Sequence, residues 1–156
     1  MRRSIAGVAA VVFASTLTTI AFAAHTHLPA PSTWTLNTQE SDFGGGPSEK
    51  SETFVIQTDT EKWGKWTDTA VDGDGKTWKS SWSGPQDGTA HPFTGKPGSY
   101  STNVATDVSV ETYPDGSVQT CNFWLSPDKK KLTNKCVTKT KDGKQINQTV
   151  VFDRTK

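Results

Sequence analysis

Asp-Gly recurs at Asp72-Gly73, Asp74-Gly75, Asp87-Gly88, Asp115-Gly116 and Asp142-Gly143. Glycine accepts the positive φ that tight turns require, so Asp-Gly between β-prone runs is the strongest short-range hairpin signal. Thr, Val, Trp, Phe and Lys dominate the intervening runs, and no window beyond about ten residues keeps helical apolar spacing. The runs predict strands at Thr33–Asn37, Ser51–Thr58, Lys65–Val71, Thr77–Ser83, Ala90–Thr94, Tyr100–Ala105, Val108–Tyr113, Val118–Ser126, Lys131–Lys141 and Gln145–Arg154. The stretch 59–64 has room for a single helical turn. About eight to ten short antiparallel strands joined by hairpins describe an all-β, up-and-down barrel, with a β-sandwich as the alternative.

The first 23 residues belong to a different regime. Met1-Arg2-Arg3 is basic, Ile5 to Phe22 carries no charge, and Ala21-Phe22-Ala23 supplies the small-x-small pattern for cleavage. This is the pattern of a secretory signal peptide over 1–23, followed by a flexible leader over 24–31 and a single domain over 32–156. Losing Arg2 and Arg3 takes the formal charge from +1 to −1. That balance argues against a nucleic-acid binder, which needs a concentrated basic face. Nothing after the signal peptide is apolar enough to span a membrane. The expected location is periplasmic or secreted.

Export places Cys121 and Cys136, the only cysteines, where disulfides persist. No Cys-x-x-Cys motif suggests redox work, and the pair has no neighbouring histidines to complete a zinc site. Ser126-Pro127-Asp128-Lys129 is a turn between two strand-like runs. With an even loop, Cys121 faces Cys136 and Leu125 faces Leu132 across a hairpin, a staple worth roughly 3 kcal/mol. A three-residue loop with a bulge would shift the register by one and put the cysteines on opposite faces.

Alternation marks the inward faces. Ile146, Val150 and Phe152 share one, as do Cys121, Phe123 and Leu125, Phe54 with Ile56, Trp34 with Leu36, and Val108 with Val110. Six tryptophans, at 34, 63, 66, 78, 82 and 124, are the most unusual feature. A large apolar body with one N–H donor suits barrel core, a ligand cavity or a sugar-stacking platform, and the three readings stay open. Asp72-Gly73-Asp74-Gly75 invites a calcium loop, but Ala70 and Ser81 stand where acids are needed, so a hairpin turn is the better account. No catalytic or cofactor constellation emerges. Carboxylates such as Glu52, Glu61 and Glu111 look scattered.

Trp34-Thr35-Leu36-Asn37, Ser41-Asp42-Phe43, Gly46-Pro47, Lys50-Ser51 and Val151-Phe152-Asp153-Arg154, with the Asp-Gly hairpins between, resemble small exported bacterial proteins with a lipocalin-like barrel. The resemblance implies a barrel of the lipocalin or fatty-acid-binding-protein type. It also implies that Trp34 closes the barrel floor with Arg154 packed across it. The resulting expectation is a binder of a small apolar or amphipathic molecule, its cavity lined by Trp34, Phe54, Ile56, Trp66, Trp78 and Trp82. A surface binding module, for carbohydrate or for a protease, is the alternative.

Overall fold

The computed structural model describes residues 27–156. The signal peptide expected over 1–23 and the first residues of the leader lie outside the described residues. Ten strands follow one another: β1 (Ser32–Leu36), β2 (Glu49–Asp59), β3 (Trp63–Asp72), β4 (Thr77–Pro85), β5 (His91–Pro92), β6 (Ser99–Asn103), β7 (Val108–Thr112), β8 (Val118–Leu125), β9 (Lys131–Lys139) and β10 (Gln145–Arg154). They form one antiparallel sheet in the order β4-β3-β2-β1-β10-β9-β8-β7-β6-β5. This is an up-and-down meander in which β1 returns to pair with β10, setting Trp34 opposite Arg154 and Leu36 opposite Phe152.

The sheet curls into a nearly closed barrel whose seam lies between β4 and β5–β6. Ser81 and Thr94 exchange backbone hydrogen bonds of 2.8 and 2.9 Å across it. Further along, Gly88 N–H donates to the Thr102 carbonyl, and the Trp82 indole N–H donates to the Tyr100 carbonyl at 3.0 Å. Isolated bonds stand in here for a continuous ladder. The reason is that β5 is reduced to two residues, with Pro92 unable to donate.

One end of the barrel is solid. Trp34, Ile56, Trp82, Leu132 and Phe152 are buried there, and Trp66 stacks on Trp82 with ring centroids 6.3 Å apart. Gly64 and Gly84 pair across β3 and β4 beneath the Trp82 ring. A Cβ on either would come within 2.9 Å of that ring, so only glycine leaves room for it. Leu28, from the expected leader, packs against this core, and its N–H donates to the Asp59 carboxylate.

The hairpin β8–β9 has the even-loop register, with Cys121 opposite Cys136 and Leu125 opposite Leu132, and the two sulfurs are bonded. Three expectations are corrected. The stretch 59–64 forms no helical turn: Thr60 N–H and Oγ1 both donate to the Trp63 carbonyl, and Trp63 N–H donates back to Thr60 Oγ1, closing a tight β2–β3 turn. The segment expected as a strand over 90–94 is the two-residue β5. Strand β7 is in the opposite phase to that expected: Ser109, opposite Cys121, and Glu111 point inward while Val108 and Val110 do not. Apolarity misleads there because that wall borders a polar cavity and not the packed core.

Candidate functional site

The other half of the barrel interior is a cavity of about 730 Å³. It reaches the barrel end where exposed turn residues Pro47, Ser48, Pro114 and Asp115 stand, which form its mouth. The β3–β4 turn at this mouth is organised by Asp72, whose Oδ1 accepts the N–H groups of Asp74 and Lys76. Asp72 therefore serves the hairpin, as the turn reading anticipated.

The cavity floor is aromatic. Phe54 meets Trp66 edge-on at 5.2 Å, Trp66 meets Tyr100 edge-on at 5.4 Å, and Phe152 lies 6.5 Å from Phe54. Trp66 and Phe152 belong to the packed core as well, and Phe54 keeps the inward phase of Ile56 two residues further along β2. The disulfide forms part of one wall, next to Gln148, which stands opposite Cys136 on β10. Gln119 Nε2 donates to Thr138 Oγ1 and Gln148 Oε1 at 3.1 and 2.9 Å, so this wall is polar and internally bonded.

The opposite wall carries charge. Glu52 precedes Phe54 and Ile56 in the same phase of β2, and Asp68 lies between Trp66 and Ala70 on β3. Glu52 is within hydrogen-bond reach of both Glu49 and Asp68. Burial, reinforced by the charges of Glu49 and Asp68, pushes the Glu52 carboxyl well above the usual carboxylate range. Burial and the Glu49 charge likewise push Asp68 up to about 7. Asp68 is 6% exposed, and its Oδ1 has no hydrogen-bond partner.

Lys96, in the β5–β6 turn, reaches into this acidic wall. Its ammonium is 2.7 Å from Glu111 Oε1 and lies over the rings of Phe93 and Trp78 at 4.1 and 4.8 Å. Burial raises the Glu111 pKa, and the Lys96 charge works against that rise. Tyr100 is pushed up to about 12 by burial, so it stays a neutral phenol at any ordinary pH. Among the described residues, no group of three His, Cys, Asp or Glu side chains is placed to hold a metal ion.

The residues expected to line a cavity divide three ways. Phe54, Trp66 and Trp78 line it. Ile56 and Trp82, with Phe54 and Trp66, border a small cleft of about 80 Å³ towards the sealed end. Trp34 lines neither: it is 0% exposed, with its indole N–H donating to Ser32 Oγ at 2.8 Å. Arg154 stands opposite Trp34 in the register, and its Nε–H donates to the Lys156 carbonyl. Trp63 and Trp124 are the exposed large apolar side chains, on β3 and β8.

The acidic wall escaped sequence reading, although its signal was present. Glu52 and Asp68 each keep step with apolar inward residues on their own strands. No family model matches the chain, and no curated protein matches it.

Proposed function

We propose that this protein is an exported carrier or receptor that holds a small amphipathic molecule in the barrel cavity. The observation that carries the reading is the roughly 730 Å³ space with an aromatic floor and a mouth of exposed turns. Ligand pockets commonly span about 300–1,000 Å³, apolar in the main with a few polar groups that fix orientation. The sealed end argues for a pocket with one entrance, since Trp34, Trp82 and Leu132 block passage through the barrel. The Cys121–Cys136 bond and the signal-peptide pattern together support export. Among the described residues, no helix is long and apolar enough to cross a membrane. A lipocalin-like ancestry would fit the same barrel, but the binding reading does not depend on it.

Titration with neutral and charged amphiphiles, followed through tryptophan emission, tests the reading. Trp66 and Trp78 border the cavity and report its occupation. The expected result is saturable quenching or a blue shift, lost at least tenfold in Val150→Trp. Val150 is a half-buried residue on the cavity wall, and the larger ring fills the space. No response from any amphiphile, with Val150→Trp indistinguishable from the parent, would remove the cavity from consideration as a binding site.

A further inference from the structure

Resting on the cavity reading, we propose that the ligand is an organic cation: a primary amine or guanidinium with an apolar body. Its head would sit against Glu52 and Asp68, and its body on Phe54, Trp66 and Phe152. Three observations converge. The cavity is bordered by six carboxylates, those of Glu49, Glu52, Asp68, Asp72, Glu111 and Asp115, against one cation, Lys96. Lys96 is ion-paired with Glu111, and although its charge also reaches Glu52 and Asp68, it forms no ion pair with either. A cleft of one charge sign with low-dielectric walls concentrates ions of the opposite sign.

Second, the unpartnered polar atoms of the cavity's own lining are acceptors, although the Ser80 hydroxyl, opposite Asp68 on β4 and outside that lining, is unpartnered as well. Asp68 Oδ1, in a residue 6% exposed, and Asn134 Oδ1 on the facing β9 are both buried without a partner, and both residues border the cavity. A buried acceptor left unmade costs about 1–3 kcal/mol, which a donor-bearing head would recover. Carboxylate and alcohol ligands supply none or one such donor; an ammonium supplies three.

Third, the barrel already shows how it seats an ammonium. Lys96 Nζ combines a carboxylate at 2.7 Å with two aromatic faces at 4.1 and 4.8 Å. The Glu52–Asp68 pair stands deeper along the same wall, next to the aromatic floor. A bare metal ion would leave that floor and most of the volume unused.

Binding would be linked to a proton. Glu49 and Glu52 from β2, Asp68 and Asp72 from β3, Tyr100 from β6, Glu111 from β7, Tyr113 and Asp115 from the turn after β7, and Lys96 all line the space; β4 adds Trp78 to the lining and sets Ser80 opposite Asp68. Below the value of about 7 to which burial pushes Asp68, the empty Glu52–Asp68 pair would hold a proton. An arriving ammonium takes over its hydrogen-bonding and charge role, and that proton leaves to solvent.

Calorimetry of octylamine, octanoate and octanol against the full mature protein at pH 8 tests this. Octylamine is expected to bind at least tenfold more tightly than octanol, with octanoate weakest. Glu52→Gln/Asp68→Asn should lose at least tenfold for the amine and less than twofold for octanol, so the octanol arm also reports that the variant is folded. Should the double variant not fold, Glu52→Gln alone carries the same comparison. At pH 6, amine binding should release a proton, read as heat that varies with the ionisation enthalpy of the buffer. Octanol or octanoate binding as tightly as octylamine, or amine binding that survives the double substitution, would overturn the cationic assignment and leave the cavity reading standing. Silence from all three would overturn both.

Discussion

The two halves of the barrel interior are built from the same strands in the same phase, yet one is solid and the other hollow. On β2, Ile56 is 2% exposed in the packed end, while Glu52, four residues earlier on the same face, borders the cavity. On β3, Trp66 joins the aromatic core and Asp68 begins the acidic wall. Geometry is therefore shared, and side-chain chemistry along each inward row decides where packing stops. Large rings interdigitate and expel water, whereas the carboxyl groups of Glu49, Glu52 and Asp68 gather along one wall and leave the space in front of them open.

The largest test of that contrast replaces a tryptophan at each end. Trp34→Ala, at the sealed end, should cost about 3–5 kcal/mol in urea denaturation, because it removes a ring that is 0% exposed and leaves a cavity in the packed core. Trp78→Ala, beside the mouth, should cost no more than ~1 kcal/mol, most of it the contact with Lys96. Equal losses would mean that the mouth is as tightly packed as the floor.

Reducing the Cys121–Cys136 bond comes next. It closes the β8–β9 hairpin on the cavity wall, with a sequence separation of 15. Loss of the bond should lower stability by about 3 kcal/mol in denaturation with and without reductant. A shift much smaller than that would show that ladder register alone holds this wall.

The smallest effect, and the most specific, is on pH. Asp68 rises from an ordinary 3.8 to about 7 on folding. The native state then binds more protons than the unfolded chain between those values, so stability falls as pH rises through that window. Glu52 shifts in the same direction. Asp68→Asn should flatten the slope and raise stability at pH 8 by ~2 kcal/mol, measured by urea denaturation from pH 4 to 8. The turn carboxylates behave oppositely. Backbone N–H donors hold Asp87 and Asp115 below the usual range, the Ser126 and Thr140 hydroxyls do the same for Asp128 and Asp142, and their contribution is lost only as pH falls below about 4. An unchanged slope in Asp68→Asn would place the titrating group elsewhere.

Much of this barrel was legible in advance because its signals are local. The Asp-Gly turns bound hairpins whose strands fall within a few residues of those expected, and β10 matches at both ends. The β8–β9 register followed from the cysteine spacing and the turn between, since pairing across a short hairpin leaves few choices. The phase of β7 did not, because Val108 and Val110 look like core and Ser109 and Glu111 look like surface. Which looks apply depends on what the wall faces. Only β2 and β3, curled to the same side, reveal that β7 borders charge.

Strand content, hairpin order, the disulfide and the inward rows of Phe54, Trp66 and Phe152 were written in the chain, since period-two alternation and turn chemistry act over a few residues. The convergence of Glu49, Glu52, Asp68 and Glu111 on one space, with Lys96 brought in from a distant turn, was settled by closure of the sheet. Residues some sixty positions apart become neighbours only when the barrel curls, and their charges interact strongly only once its walls exclude water.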